Sequence, residues 1–256
     1  MEKQIIGRGI LAGALAGVLA FIWAKLLIEP IIGRAIDFEN SAGAAHEAAE
    51  HSHGAGGHSH GGAESAEVFT RGVQSNIGMG LGVLIFSVAM GALLAVVFCV
   101  LYGRANLSAR ALAALTAGGM LVSLWIVPAL KYPPNPPATS LEETIKQRTL
   151  LYVLLVVLSA ALFVGSVLLA RRLMPKLGVW NASLIGAADY VVSMAVVFLI
   201  LPGIHETPST FPADDLYQFR LYSLGIQVVI WATIGLVFGA LASRVLEGKR
   251  EEQLIA

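Results

Sequence analysis

The chain has 256 residues, of which 56% are hydrophobic and 13% are charged, and its mean hydropathy is +0.74. Soluble domains carry about 25% charged residues, so this composition excludes an ordinary water-soluble fold. The formal net charge is zero, which argues against a nucleic-acid partner, and the single cysteine, Cys99, excludes a disulfide framework. We therefore expect an all-α integral membrane protein in the lipid bilayer, with one transmembrane helical domain over residues 1–256.

Six continuous apolar stretches are long enough to cross a bilayer, since a transmembrane helix needs about 20 mainly apolar residues. Their continuity favours helices over the alternating strands of a membrane barrel. The stretches are 7–28, 77–101, 109–130, 150–170, 182–201 and 221–243. We predict a bundle of about six transmembrane helices, with the first stretch retained as a span rather than cleaved as a signal peptide.

The first span carries small residues at helical spacing, which predicts close packing against a neighbouring helix. These residues are Gly9, Gly13 and Gly17, and the last span repeats the pattern with Gly235 and Gly239. At the far end of the first span, Lys25 and Glu29 are four residues apart, and this spacing predicts an ion pair. The following proline, Pro30, is expected to end the helix.

A polar insert at residues 41–66 contains five of the six histidines. It is rich in Gly, Ala, His and Ser and has no apolar period, so we expect it to be disordered. Neutral imidazole is a common ligand of first-row divalent metals, and alternate residues of an extended chain point to one side. The insert therefore predicts metal capture, with a low-complexity spacer as the alternative. The histidines are His46, His51, His53, His58 and His60.

A second candidate site follows the fifth predicted span, where His205 and Glu206 are adjacent. Asp214 lies in the same predicted loop, and Glu29 lies at the same predicted side of the membrane. We predict that His205 and Glu206 bind metal and that Asp214 and Glu29 belong to the mouth of an ion pathway. The alternative is an interfacial histidine beside exposed acids.

Asp189 is the ionisable residue that lies deepest within a predicted span. A lone carboxylate is costly in lipid, so its side chain should face the bundle interior or water. We predict that Asp189 lies along the ion pathway. The competing interpretation is a structural hydrogen bond that involves Tyr190 or Ser193.

Lys and Arg are concentrated on short loops and tails at one side, while most carboxylates fall on the other. By the positive-inside rule, this bias predicts that both termini are cytoplasmic and that the insert is extracytoplasmic. The sequence has no phosphate-binding loop and no H-E-x-x-H, G-x-S-x-G or C-x-x-C motif. We therefore expect no enzymatic activity and no tightly bound cofactor.

Several local motifs together resemble the CbtA family of predicted cobalt transporter subunits. They are the glycine-rich first and last spans, the His-rich loop, Arg71-x-x-Gln74, Lys-Tyr-Pro-Pro-Asn-Pro-Pro at 131–137, and Arg148-x-x-x-Tyr152. The resemblance implies a component of cobalt uptake in the prokaryotic plasma membrane. It also implies a small partner, CbtB, with one span and its own histidines.

These observations favour a membrane component of divalent transition-metal uptake, with cobalt as the first choice of ion and nickel as the second. The His-rich loop would capture the ion and pass it to a pathway in the bundle. The alternative is a non-transporting membrane scaffold, or a metal chaperone for a partner transporter.

Overall fold

The computed structural model describes residues 2–51, 70–104, 106–137, 139, 142–204 and 206–255. These ranges contain helices and no strand, so the predicted all-α class is confirmed. The helices are α1 (Glu2–Trp23), α2 (Glu29–His51), α3 (Arg71–Val73), α4 (Met79–Leu101), α5 (Ala109–Leu121), α6 (Val127–Lys131), α7 (Glu142–Ile200) and α8 (Ala213–Ile255). Five-residue π-helical turns join α1 to α2, α3 to α4 and α5 to α6, and their bounds are Ala24–Ile28, Gln74–Gly78 and Val122–Ile126.

Five continuous helices in the described ranges are long and apolar enough to cross a membrane. They are Glu2–Ser41, Arg71–Leu101, Ala109–Lys131, Thr144–Ile200 and Ala213–Leu246. Together they cover the six predicted stretches except for Leu201, because Thr144–Ile200 holds the fourth stretch and the rest of the fifth. The membrane character of the fold is confirmed, while the number of crossings stays a prediction.

Helix α7 reverses direction at Gly178, where φ is 74° and ψ is 166°. This backbone conformation is essentially restricted to glycine. The hydroxyls of Ser159 and Tyr190 are 2.7 Å apart although 31 positions separate them in the chain. The two arms of α7, residues 142–177 and 179–200, therefore lie side by side and antiparallel.

Helices α1, α4, α5 and α8 form a four-helix bundle with a continuous apolar core. Phe98 and Phe238 are fully buried in this core and meet edge to face, with ring centroids 5.1 Å apart. The glycine ladder lies between α1 and α4, where a Cβ atom added to Gly13 would come within 2.8 Å of the Val88 Cα. The predicted close approach of the first span to a neighbouring helix is confirmed.

The antiparallel arms of α7 have a separate apolar cluster. Leu155, Tyr190 and Met194 pack with Tyr132, which directly follows α6. The turn Val122–Ile126 also contacts α7. The protein therefore has two cores, one in the four-helix bundle and one where α7 meets the end of the third predicted span.

The prediction that the first helix ends at Pro30 is wrong. The helix continues through the turn Ala24–Ile28 into α2, and the Glu29 amide donates to the carbonyl of Ala24, five residues back. A π-helical turn widens the backbone and changes the hydrogen-bond register, which accommodates a proline that lacks an N–H group. Pro128 likewise stands in α6 directly after the turn Val122–Ile126.

Candidate functional site

Most polar contacts of the described residues lie at the two ends of the bundle. We name the end that contains residues 131–137 the proline end. At this end, the indole nitrogen of Trp23 donates to the carbonyl of Tyr222 over 3.1 Å, which joins α1 to α8. At the opposite end, a guanidinium nitrogen of Arg171 donates to the carbonyl of Arg104 over 2.8 Å.

A buried ion pair joins the start of α7 to the loop before α8. The Glu206 side chain is 1% exposed, and its Oε2 atom lies 3.0 Å from Nη1 of Arg148, which is 22% exposed. Arg148 also donates from Nη2 to the carbonyl of Pro133 over 2.8 Å. The predicted metal ligand Glu206 is thus held by an arginine in this conformation.

The proline segment, residues 131–137, lies between the second arm of α7 and helix α8. Lys131 Nζ donates to the carbonyl of Phe198 over 2.9 Å at one end of the segment. Arg220 Nη2 donates to Asn135 Oδ1 over 2.8 Å farther along. Tyr132 donates its hydroxyl to the carbonyl of Pro202 over 2.8 Å, and burial raises the pKa of this phenol. These contacts fix the loop that carries Glu206.

Two adjoining cavities flank the proline segment and share Tyr132 and Arg148 as a common wall. The polar cavity has a volume of about 290 Å³ and includes Lys131, Glu206 and Arg220 in its lining. The second cavity has a volume of about 460 Å³. Its lining is mainly apolar and comprises Trp125, Ala129, Tyr132, Pro134, Ile145, Arg148, Thr149 and Tyr152.

Glu29 does not form the predicted pair with Lys25. Its Oε1 atom lies 2.6 Å from Nη2 of Arg71, which follows the His-rich insert in the chain. Lys25 Nζ instead contacts the carbonyl of Ser75 at 3.4 Å, in the turn Gln74–Gly78. Lys25 and Glu29 contact other elements rather than each other because the π-helical turn Ala24–Ile28 changes the relative direction of their side chains.

Asp189 accepts a hydrogen bond from Ser166 Oγ over 2.7 Å across the two arms of α7. The partner is thus Ser166 rather than the predicted Tyr190 or Ser193, because the reversal at Gly178 brings the first arm alongside. A groove of about 430 Å³ next to this pair is bounded by both arms and includes Ser166 and Tyr190. Asp189 is half-buried.

The described residues do not assemble the predicted metal ligands into one cluster. The backbone of His46 and His51 lies on α2, and the structure describes no side chains there. In the described ranges, no group of three or more His, Cys, Asp or Glu side chains is placed to hold a metal. Asp214 is exposed at the start of α8. The remaining predicted ligands, His53, His58, His60 and His205, lie outside the described residues.

Sequence reasoning missed the interactions that organise the proline end. None of Tyr132, Arg148 and Arg220 is a predicted site residue, although the first two lie in motifs that resemble the family. A usable signal was available, because four prolines in five positions remove backbone donors and leave carbonyls for side-chain donors. The ion pair between Arg34 and Asp215, 2.6 Å apart, was also not predicted.

The helices, their exposed apolar faces and the polar layer at each end define a multi-pass membrane protein. The family model described as "Probable cobalt transporter subunit (CbtA)" matches residues 2–243, and the chain belongs to this family. No curated protein and no solved structure matches the chain. The protein is therefore a membrane component of the kind assigned to cobalt uptake, and the expected family is confirmed.

Proposed function

We propose that the protein imports divalent cobalt, alone or with a small single-span, CbtB-like subunit. In this proposal, the histidines of residues 46–60 capture the ion outside the cell. His205 and Glu206 receive it, Asp214 and Glu29 attract it to the mouth, and Asp189 lies on the route. The observation that carries the proposal is the family match over residues 2–243 of a chain with five membrane-length helices.

The membrane potential supplies a driving force for such uptake. An inward-negative potential favours entry by about 2.3 kcal/mol per charge for each 100 mV, and a divalent ion gains about twice that. Import of Co²⁺ without ATP is therefore energetically feasible. The chain's own contribution would be to gather the ion and to shield it from lipid during its passage.

Helix α2 supports capture at a distance from the bundle. It continues from Glu29 to His51 without interruption, so the His46 backbone lies roughly 25 Å along the helix from Glu29. The ion pair of Arg34 with Asp215 and the edge-to-face contact of Phe38 with Phe211 hold α2 beside the start of α8. The insert therefore begins on a supported helix beyond the first span.

The carboxylates at the mouth require a change of partner before they can bind an ion. Glu29 is paired with Arg71 and Glu206 is paired with Arg148. A divalent ion that approaches either carboxylate meets the charge of its arginine, which opposes binding. Import through these residues requires that the arginines move away, and Asp214, which is exposed, is the acid that an ion can reach first.

Cellular accumulation of cobalt tests the proposal. Cells that express the wild-type protein should accumulate more Co²⁺ than empty-vector cells. Removal of 46–60, or replacement of its five histidines by asparagine, should lower uptake most at submicromolar cobalt. Glu64→Gln is the matched control, because it alters the same insert and leaves the histidines. Equal accumulation by wild type and empty vector would refute import.

Asp189→Asn separates a pathway role from a structural one when it is compared with Ser166→Ala. Both variants disturb the same hydrogen bond, but only the first removes the negative charge. A pathway role predicts that Asp189→Asn abolishes uptake while Ser166→Ala retains most of it. If both variants reduce uptake in proportion to protein level, Asp189 has only a structural role.

The alternative function is a non-transporting scaffold or metal chaperone. The arginine partners of Glu29 and Glu206 favour it, because paired carboxylates stabilise the fold and do not present an open ion site. Proteoliposomes distinguish the two functions. Purified protein alone should admit radiolabelled cobalt down its gradient if it transports, whereas a scaffold would bind cobalt at the surface without filling the vesicle.

We also propose that the protein resides in the prokaryotic plasma membrane with both termini in the cytoplasm. The start of α1 and the reversal at Gly178 both lie at the end of the bundle opposite the proline end. The N-terminus and the reversal are therefore expected on the same side of the membrane. Single cysteines introduced by Ala55→Cys and Lys176→Cys in a Cys99→Ala background test this orientation. An impermeant maleimide should label position 55 and not position 176 in intact cells.

A further inference from the structure

The polar cavity at the proline end contains two buried polar atoms without a partner. Among the described residues, Oε1 of Glu206 and Nε of Arg220 form no hydrogen bond. The first atom is an acceptor that needs a donor, and the second is a donor that needs an acceptor. Both residues line the same cavity of about 290 Å³. A buried polar atom that lacks a partner is costly, so a group that supplies both a donor and an acceptor would stabilise this cavity.

The charge of this cavity selects an anion. Its described lining has three cationic side chains, Lys131, Arg148 and Arg220, against one carboxylate, Glu206. Lys131 and Arg148 already donate to the backbone carbonyls of Phe198 and Pro133, but both keep their charge. The balance disfavours a divalent cation and favours a group such as phosphate, which arginine binds with charge-assisted hydrogen bonds.

The neighbouring apolar cavity indicates that the anion can belong to an amphipathic molecule. This cavity, of about 460 Å³, shares Tyr132 and Arg148 with the polar cavity. Trp125 lies in its lining near the end of the third span, where aromatic side chains favour the membrane interface. A phosphate beside an apolar chamber at this level of a bundle is the arrangement that a phospholipid offers.

We propose that the polar cavity binds a phosphate group that carries a hydrogen-bond donor close to it. The phosphate oxygens accept from Arg220, and the neighbouring donor satisfies Oε1 of Glu206. The ammonium of an ethanolamine phospholipid or the hydroxyl of free hydrogen phosphate supplies that donor. This inference shares Glu206 with the proposed function, and a phosphate group at Glu206 would exclude a metal ion there. The binding experiments below contain no metal, so their failure is distinguishable from a failure of cobalt import.

Native mass spectrometry of the full-length, delipidated protein tests the proposal. The probes are phosphatidylethanolamine, phosphatidylcholine and diacylglycerol with the same acyl chains, together with inorganic phosphate. Phosphatidylethanolamine should bind at least tenfold more tightly than diacylglycerol, which lacks the phosphate. It should also bind several-fold more tightly than phosphatidylcholine, whose headgroup has no N–H donor for Glu206.

Variants of the cationic lining assign the binding to this cavity. Arg220→Gln should weaken binding at least tenfold, and Arg220→Lys, which keeps the charge but removes the guanidinium fork, should weaken it less. Arg34→Gln is the control, because it removes a cation from the same end of the bundle outside the cavity. If Arg220→Gln does not fold, the comparison of Arg220→Lys with Arg34→Gln still decides the assignment.

The outcomes separate the two sources of phosphate. Binding of phosphatidylethanolamine that inorganic phosphate does not displace supports a lipid headgroup. Protection against thermal unfolding by inorganic phosphate in the absence of lipid supports the free ion. Equal binding of phosphatidylethanolamine and diacylglycerol, together with no effect of inorganic phosphate, would overturn the proposal. Equal affinities of wild type and both Arg220 variants would also overturn it.

Discussion

Loss of the Arg148 guanidinium should destabilise the protein more than loss of both members of its ion pair. Arg148→Met leaves the Glu206 carboxylate, 1% exposed, without its cation. Removal of one partner of a buried pair costs about 3–5 kcal/mol, and the lower end applies because Arg148 itself is 22% exposed. The lost hydrogen bond to Pro133 adds about 1 kcal/mol. We expect a total loss of about 4 kcal/mol.

The double variant Arg148→Met with Glu206→Gln removes the uncompensated charge. Its stability should exceed that of Arg148→Met by about 2 kcal/mol, since a neutral amide is far less costly to bury than a carboxylate. The assay is unfolding in mixed detergent micelles, arranged as a double-mutant cycle. Arg34→Met is the control, because its pair with Asp215 is exposed and should contribute about 1 kcal/mol or less.

Two results would refute this reasoning. One is an Arg148→Met variant as stable as wild type, and the other is a double variant less stable than Arg148→Met. The same double variant also informs function. If it is stable and still accumulates cobalt at the wild-type rate, Glu206 is a structural residue and is not a metal ligand.

Three further predictions concern the helices. Gly13→Ala should destabilise the bundle by about 1–3 kcal/mol, because the added methyl meets the backbone of α4. The control Gly7→Ala should be neutral or stabilising, because open space surrounds Gly7. Thermal unfolding of the two variants checks this prediction. Gly178→Ala should cost about 1–3 kcal/mol because of its positive φ, and an increased rate of proteolysis at the α7 reversal would report it. Ser166→Ala should cost about 1–3 kcal/mol through the lost donor to Asp189, measured by unfolding in micelles, and an unchanged midpoint would contradict it.

The apolar stretches could be read from the sequence because lipid imposes a simple length and composition requirement. The separation of α7 into two arms could also be predicted from the sequence, since polar residues and Pro175 lie between two long apolar runs. The packing of α1 on α4 followed from the spacing of Gly9 and Gly13, because only a glycine ridge lets two backbones approach so closely. These features depend on local sequence.

The partners of the acidic residues could not be predicted, because they depend on the packing of distant elements. Glu206 pairs with a residue 58 positions away, and Glu29 pairs with one 42 positions away. The π-helical turns also escaped prediction, since no residue type specifies them in this chain. Pro30 was therefore interpreted as a helix end, although the turn before it accommodates the ring.

The proline segment also explains why side chains that donate hydrogen bonds are packed against it. A run of prolines presents carbonyl oxygens and almost no amide hydrogens, so its neighbours must give hydrogen bonds and cannot take them. Arg148 meets this demand at the carbonyl of Pro133, and Thr139 meets it at the carbonyl of Pro136. A run of imino acids thus selects a cationic donor as its neighbour, and the same guanidinium then serves as the counter-ion of the buried Glu206 carboxylate.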